Sequence, residues 1–219
     1  MFDDEEDPVP RLRVKICGLT TPEDAAAATE FGADVLGFNF FAGSRRYLPI
    51  NASRNWIADL PAQIPKIAVL VNPSWDEAVA AASSPGITAL QLHGAETPDF
   101  CRQLAEHGIR FAKALPVTTL DSVKDLPSFS TRTVLLDSGD VGEFGGSGRI
   151  FPWQIARDFV ECNPRLRVVL AGGLTPENVA EAVATVRPFA VDVTSGVESS
   201  AGRKDHGRMR AFIAAAKSR

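Results

Sequence analysis

A threonine–proline–acid signal occurs three times along the chain, as Thr21-Pro22-Glu23, Thr97-Pro98-Asp99 and Thr175-Pro176-Glu177, each time just after a short apolar segment and a glycine. Each copy reads as a helix start. Threonine offers a side-chain oxygen to the free amides, proline has no N–H to leave unpaired in the first turn, and the acid suits the positive helix end. The segments before them, RVKIC, ALQLH and RVVLAG, are strand-like. The copies lie 76 and 78 residues apart. That is too far for one strand–helix unit but close to three units of about 25 residues, the range found in eight-unit barrels. The three marked strands are therefore the first, fourth and seventh. The other five fall where this spacing requires them: DVLGFNF after Ala33, KIAVLVN after Pro65, RFAKALPV after Ile109, TVLLDS after Arg132 and AVDVTSG after Phe189. Between them, stretches such as SWDEAVAAAS, TPDFCRQLAEHG and TPENVAEAVATV carry apolar residues every three or four positions. Alternating strand and helix imply a parallel sheet, and the expected fold is a closed (β/α)8 TIM barrel in a single domain. The open doubly wound alternative lacks its G-x-G-x-x-G after the first strand.

With 219 residues, 45% of them hydrophobic and 23% charged, the chain can bury one large core more readily than two small ones. A net charge of -4 disfavours nucleic acid and anionic membrane as partners and leaves a small anion, held by a local site. Both a monomer and a homodimer are compatible with the sequence. Cys17, Cys101 and Cys162 are widely separated, without a CxxC, which argues against a zinc site or a disulfide framework and for a reducing compartment. The start, MFDDEEDPVP, is acidic where a signal peptide is basic and then apolar, and no apolar run approaches ~18 residues. The expectation is a cytoplasmic protein with a flexible acidic extension over residues 1–10 and the barrel over residues 11–219.

In such barrels the loops after the strands build the active site. Cys17 ends the first strand and Asp137 the sixth, so their tips can face one ligand from two sides as an acid–base pair. Each also has a structural reading, Cys17 as a small buried hydrophobe and Asp137 as a loop cap. Cys101 and Cys162, on helices, are expected to be buried hydrophobes. Glycines cluster after strand six (Gly145, Gly146, Gly148), after strand seven (Gly172, Gly173) and, with Ser195, after strand eight (Gly196). Backbone amides approach an anion closely where no Cβ intervenes, and these are the loops where barrels bind phosphate. Arg46, in the loop after strand two, could take a carboxylate through two parallel hydrogen bonds, with Arg45 facing solvent. His93, ending strand four, could line the pocket or hydrogen-bond its floor, while His107 and His206 read as surface residues. Scattered histidines without an HExxH argue against a metal. Strand parity puts Lys15 on the face of Cys17 and Asp192 on that of Thr194. If those faces point inward, the two can pair inside the barrel, and the ammonium would help the thiol ionise.

Taken in order between Arg13 and Lys217, the motifs KICGLT, LQLHG, LLDS with a later GGSG, AGGLTPENV, VDVTSGVE and GRKD resemble those of the phosphoribosylanthranilate isomerase family. The resemblance implies an Amadori rearrangement of a phosphorylated aminoribose in tryptophan biosynthesis. It implies Cys17 as general base, Asp137 as general acid, Arg46 as the contact to the anthranilate carboxylate, and the glycine loops as the phosphate site. Arginine at 45, where many relatives have proline, leaves Arg45 as the alternative carboxylate ligand. In that reaction the substrate nitrogen is the electron sink, so no cofactor is expected. Two related barrel enzymes are disfavoured by Cys17: the aminoaldose isomerase of histidine synthesis normally has aspartate there, and indole-glycerol-phosphate synthase needs a lysine acid. A non-catalytic phosphosugar sensor would have no need of both Cys17 and Asp137.

Overall fold

In the computed structural model, which describes residues 11–117, 128–138 and 152–218, eight parallel strands close on themselves in chain order. They are β1 (Arg13–Ile16), β2 (Val35–Asn39), β3 (Lys66–Leu70), β4 (Ala89–Leu92), β5 (Phe111–Pro116), β6 (Thr133–Asp137), β7 (Arg167–Leu170) and β8 (Ala190–Val193). The described helices are α1 (Pro22–Glu30), α2 (Ile50–Asp59), α3 (Trp75–Ala82), α4 (Pro98–Glu106), α5 (Trp153–Cys162), α6 (Val179–Val186) and α7 (His206–Lys217). This is the single-domain (β/α)8 barrel expected from the spacing. Parity explains why the strands close. Val35, Ile67, Ala89, Ala114, Leu135, Val169 and Ala190 form one buried cluster inside the ring. Their sequence neighbours Leu36, Ala68, Leu90, Val134, Val168 and Val191 belong to the clusters that also hold buried helix residues.

Two of the three helix starts are as the sequence implies. Thr21 accepts from the Asp24 amide at 3.2 Å and Thr97 from the Phe100 amide at 3.2 Å, each with proline in the first turn. The third differs: α6 begins at Val179 with Asn178 as its N-cap, three residues later than expected. The Asn178 side chain accepts from the Thr175 amide (2.8 Å) and donates to the Gly173 carbonyl (3.0 Å). It thus folds Thr175–Glu177 into a turn that ties the loop after β7 to itself.

Beyond β8, a single 3-10 turn (Ser195–Val197) leads into a short antiparallel hairpin, β9 (Glu198–Ser200) with β10 (Arg203–Lys204). Cys101 is buried on α4 as expected. Cys162 is exposed, because it is the last residue of α5 and lies past the turn that Ala156 and Phe159 bury. Among the described residues no helix is long and apolar enough to cross a membrane.

Candidate active site

At the C-terminal ends of the strands a cavity opens, and both Cys17 and Asp137 line it. They arrive from positions separated around the ring by β7 and β8. The amide of Cys17 donates to the Val193 carbonyl at 2.9 Å, so the tip of β1 is fastened to β8. The thiol lies over Gly37 of β2. A Cβ there would stand 2.8 Å from the Cys17 sulfur and 3.0 Å from Cε of Lys15. Only glycine leaves both side chains their present space.

Lys15 and Asp192 are direct partners in the β1–β8 register. The ammonium donates to Oδ1 of Asp192 at 3.0 Å and to Oε1 of Gln91 at 3.0 Å. Burial alone would pull the lysine down. The charges of Asp192 and Cys17, and hydrogen bonds to both, outweigh it and hold Lys15 above its ordinary value. The inward pair expected from parity is therefore present, with Gln91 as a third member.

Asp137 is 5% exposed and its Oδ2 meets Nε2 of His93 at 3.2 Å; Nδ1 of His93 meets Nε2 of Gln91 at 2.9 Å. His93 thus both lines the cavity and braces its floor. His107 and His206 are exposed, and His206 pairs with Asp24 at 2.8 Å. Around the rim, Gly172 and Gly173 have φ of +84° and +62°, a region that favours glycine. A Cβ on Gly172 would collide with Ser138, and one on Gly196 with the Leu174 carbonyl. Both glycines line the cavity, as does Ser195. Gly145, Gly146 and Gly148 lie outside the described residues.

Arg46 lines the cavity and is buried, whereas Arg45 is exposed. The side-on edge of the Arg46 guanidinium is already engaged. Nε donates to Glu198 (2.9 Å to Oε1) and Nη2 to the other carboxylate oxygen (2.7 Å). Glu198 also accepts from Lys204 at 3.2 Å, and Lys204 donates to the Thr194 carbonyl at 3.0 Å. Burial pushes the Glu198 carboxyl up, but the bonds from Arg46 and the charges of Lys204 and Arg46 hold it below its ordinary value. Burial pulls Lys204 down, only partly offset by Glu198. Sequence reasoning missed Glu198, Lys204, Gln91 and Gly37. The inward parity that selected Lys15 would also have selected Gln91 in ALQLH.

A family model described as N-(5'phosphoribosyl)anthranilate (PRA) isomerase matches residues 14–215. The chain belongs to this family. The N-(5'-phosphoribosyl)anthranilate isomerase of Trichlorobacter lovleyi is 42% identical over 206 residues, 94% of this chain and 98% of that protein. Two solved family structures cover 95% of this chain and all of their own. One, of a Thermotoga maritima enzyme described as mutually generated monomers of a dimeric isomerase, has a TM-score of 0.81 at 37% identity. The other, in complex with reduced 1-(o-carboxyphenylamino)-1-deoxyribulose 5-phosphate, has a TM-score of 0.79 at 37% identity. The chain is thus an isomerase on a TIM barrel. Gly37→Ala tests whether the contact under the thiol matters to this isomerase. The added methyl should cost about 1–3 kcal/mol as overpacking and depress kcat by roughly tenfold or more through a misplaced sulfur. Urea unfolding alongside steady-state kinetics measures both.

Proposed function

We propose that the chain converts N-(5-phosphoribosyl)anthranilate to 1-(2-carboxyphenylamino)-1-deoxyribulose 5-phosphate, the Amadori rearrangement of tryptophan biosynthesis, with Asp137 as general acid and Cys17 as general base. The observation that carries this reading is that a thiol and a carboxyl group, delivered by β1 and β6, line one cavity whose rim is glycine. Opening the ribose requires a proton at the ring oxygen as the C1–O bond breaks, and Asp137 supplies it. The protonated imine that results acidifies the C2 hydrogen. Cys17 removes that hydrogen as a thiolate, with the Lys15 ammonium beside it over Gly37. The enolamine then takes a proton at C1 and loses one from O2 to give the ketone.

Binding follows the same geometry. The loops carrying Gly172–Gly173 and Ser195–Gly196 line the cavity, and their backbone amides take the phosphate. Glu198 occupies the Nε–Nη2 edge of Arg46, so the anthranilate carboxylate meets Nη1 and the second hydrogen of Nη2. Glu198 thereby aims the guanidinium and does not compete for its outer edge. All three cysteines are free thiols, in keeping with a cytoplasmic enzyme. The purified chain, given phosphoribosylanthranilate without added metal or cofactor, should form the ketose product at about 1–10³ s⁻¹, followed by chromatography. Absence of product from folded protein would overturn the assignment.

A further inference from the structure

Gln91 is buried inside the barrel, 2% exposed, and lines the floor of the cavity beside His93. Its orientation is determined. The Lys15 ammonium, itself held by Asp192 at 3.0 Å, has only donors. The Gln91 atom that meets it at 3.0 Å must therefore be the carbonyl oxygen. The amide nitrogen then faces Nδ1 of His93 at 2.9 Å. It too can only donate, so Nδ1 must be bare. The ring proton is left on Nε2, pointing at Oδ2 of Asp137 3.2 Å away.

From this chain of contacts we infer that Gln91 is a positioning residue that fixes His93 as the neutral Nε2–H tautomer, so that Asp137 receives a neutral donor on Oδ2 and carries its transferable proton on Oδ1. An imidazolium would place an N–H against the Gln91 amide hydrogens, and the contact excludes it. This matters for the acid. A cation beside a carboxyl group favours the carboxylate more strongly than a neutral donor does, so the tautomer bears on a general acid. The inference rests on the reading of Asp137 as general acid, but the tautomer itself does not.

Long-range 15N–1H correlation spectra of the ligand-free enzyme at neutral pH test it directly. The expected signature of His93 is a protonated Nε2 and a bare Nδ1. Gln91→Glu presents only acceptors to the ring and should protonate Nδ1. It should lower kcat about tenfold or more with KM within about twofold. Gln91→Met, close in size and without a hydrogen bond to give, should show both tautomers and an intermediate kcat, and covers the case in which the glutamate variant fails to fold. A wild-type ring with a proton on Nδ1, or either variant keeping the wild-type spectrum and kcat, would overturn the inference. Should Asp137→Asn instead retain turnover while the spectra match, the acid assignment fails and the tautomer assignment stands.

Discussion

Asp137→Asn is expected to lower kcat by about three orders of magnitude, within the range lost with a general acid, and to leave the fold intact. Asparagine has the shape of aspartate and its Oδ1 can still accept from Nε2 of His93, the contact seen at 3.2 Å. It has no proton to give, so the C1–O bond must break unaided. Cys17→Ser should behave alike for the opposite reason. The hydroxyl fits the space above Gly37, where the larger sulfur already sits, yet gives up its proton far less readily than a thiol. Circular dichroism and thermal midpoints control for folding, and single-turnover kinetics separate chemistry from binding. Wild-type turnover in either variant would sink the assignment of acid and base.

Loss of Glu198 should be the largest stability effect at the site. Glu198→Ala leaves Arg46 and Lys204, both 7% exposed, with no shared carboxylate between them. Removing one partner of a buried ionic cluster costs about 3–5 kcal/mol. The loop after β2 also loses its tie to the hairpin after β8, so KM should rise as Arg46 drifts. The pH dependence has a definite sign. The folded protein holds the Glu198 carboxyl below its ordinary 4.5. Its contribution is therefore complete above about pH 4.5 and is lost as pH falls through the lower folded value. The gap in urea midpoint between wild type and Glu198→Ala should be full at pH 7 and begin to narrow only below about pH 4.5. Equal midpoints at pH 7 would mean that the cluster does not support the fold.

The barrel was legible because its eight strands and their helices repeat at a near-constant spacing, with period two in one and 3.6 in the other. Cys17, Asp137 and Lys15 were legible for a related reason: topology alone puts strand ends on one face, and parity decides which side chains turn inward. The third helix start was misplaced because Asn178, not Thr175, captures the local amide, a competition between side chains that propensity does not rank. Glu198 and Lys204 stayed hidden because their strands are three and two residues long, too short to show any period. Glu198 and Arg46 are also 152 residues apart, and only the folded register brings them together. The correction to Cys162 has the same origin, since a helix's final turn can overhang the core that its pattern points toward.

The carboxylate that steadies Lys15 comes from the strand that closes the ring, 177 residues downstream. During synthesis the thiol emerges almost at once, but its ammonium is not anchored until Asp192 has been made and the final staves of the barrel have seated. A product terminated before β8 therefore leaves the Lys15 ammonium without its carboxylate. The interior beneath the tip of β1 is finished only by the last strand to be made.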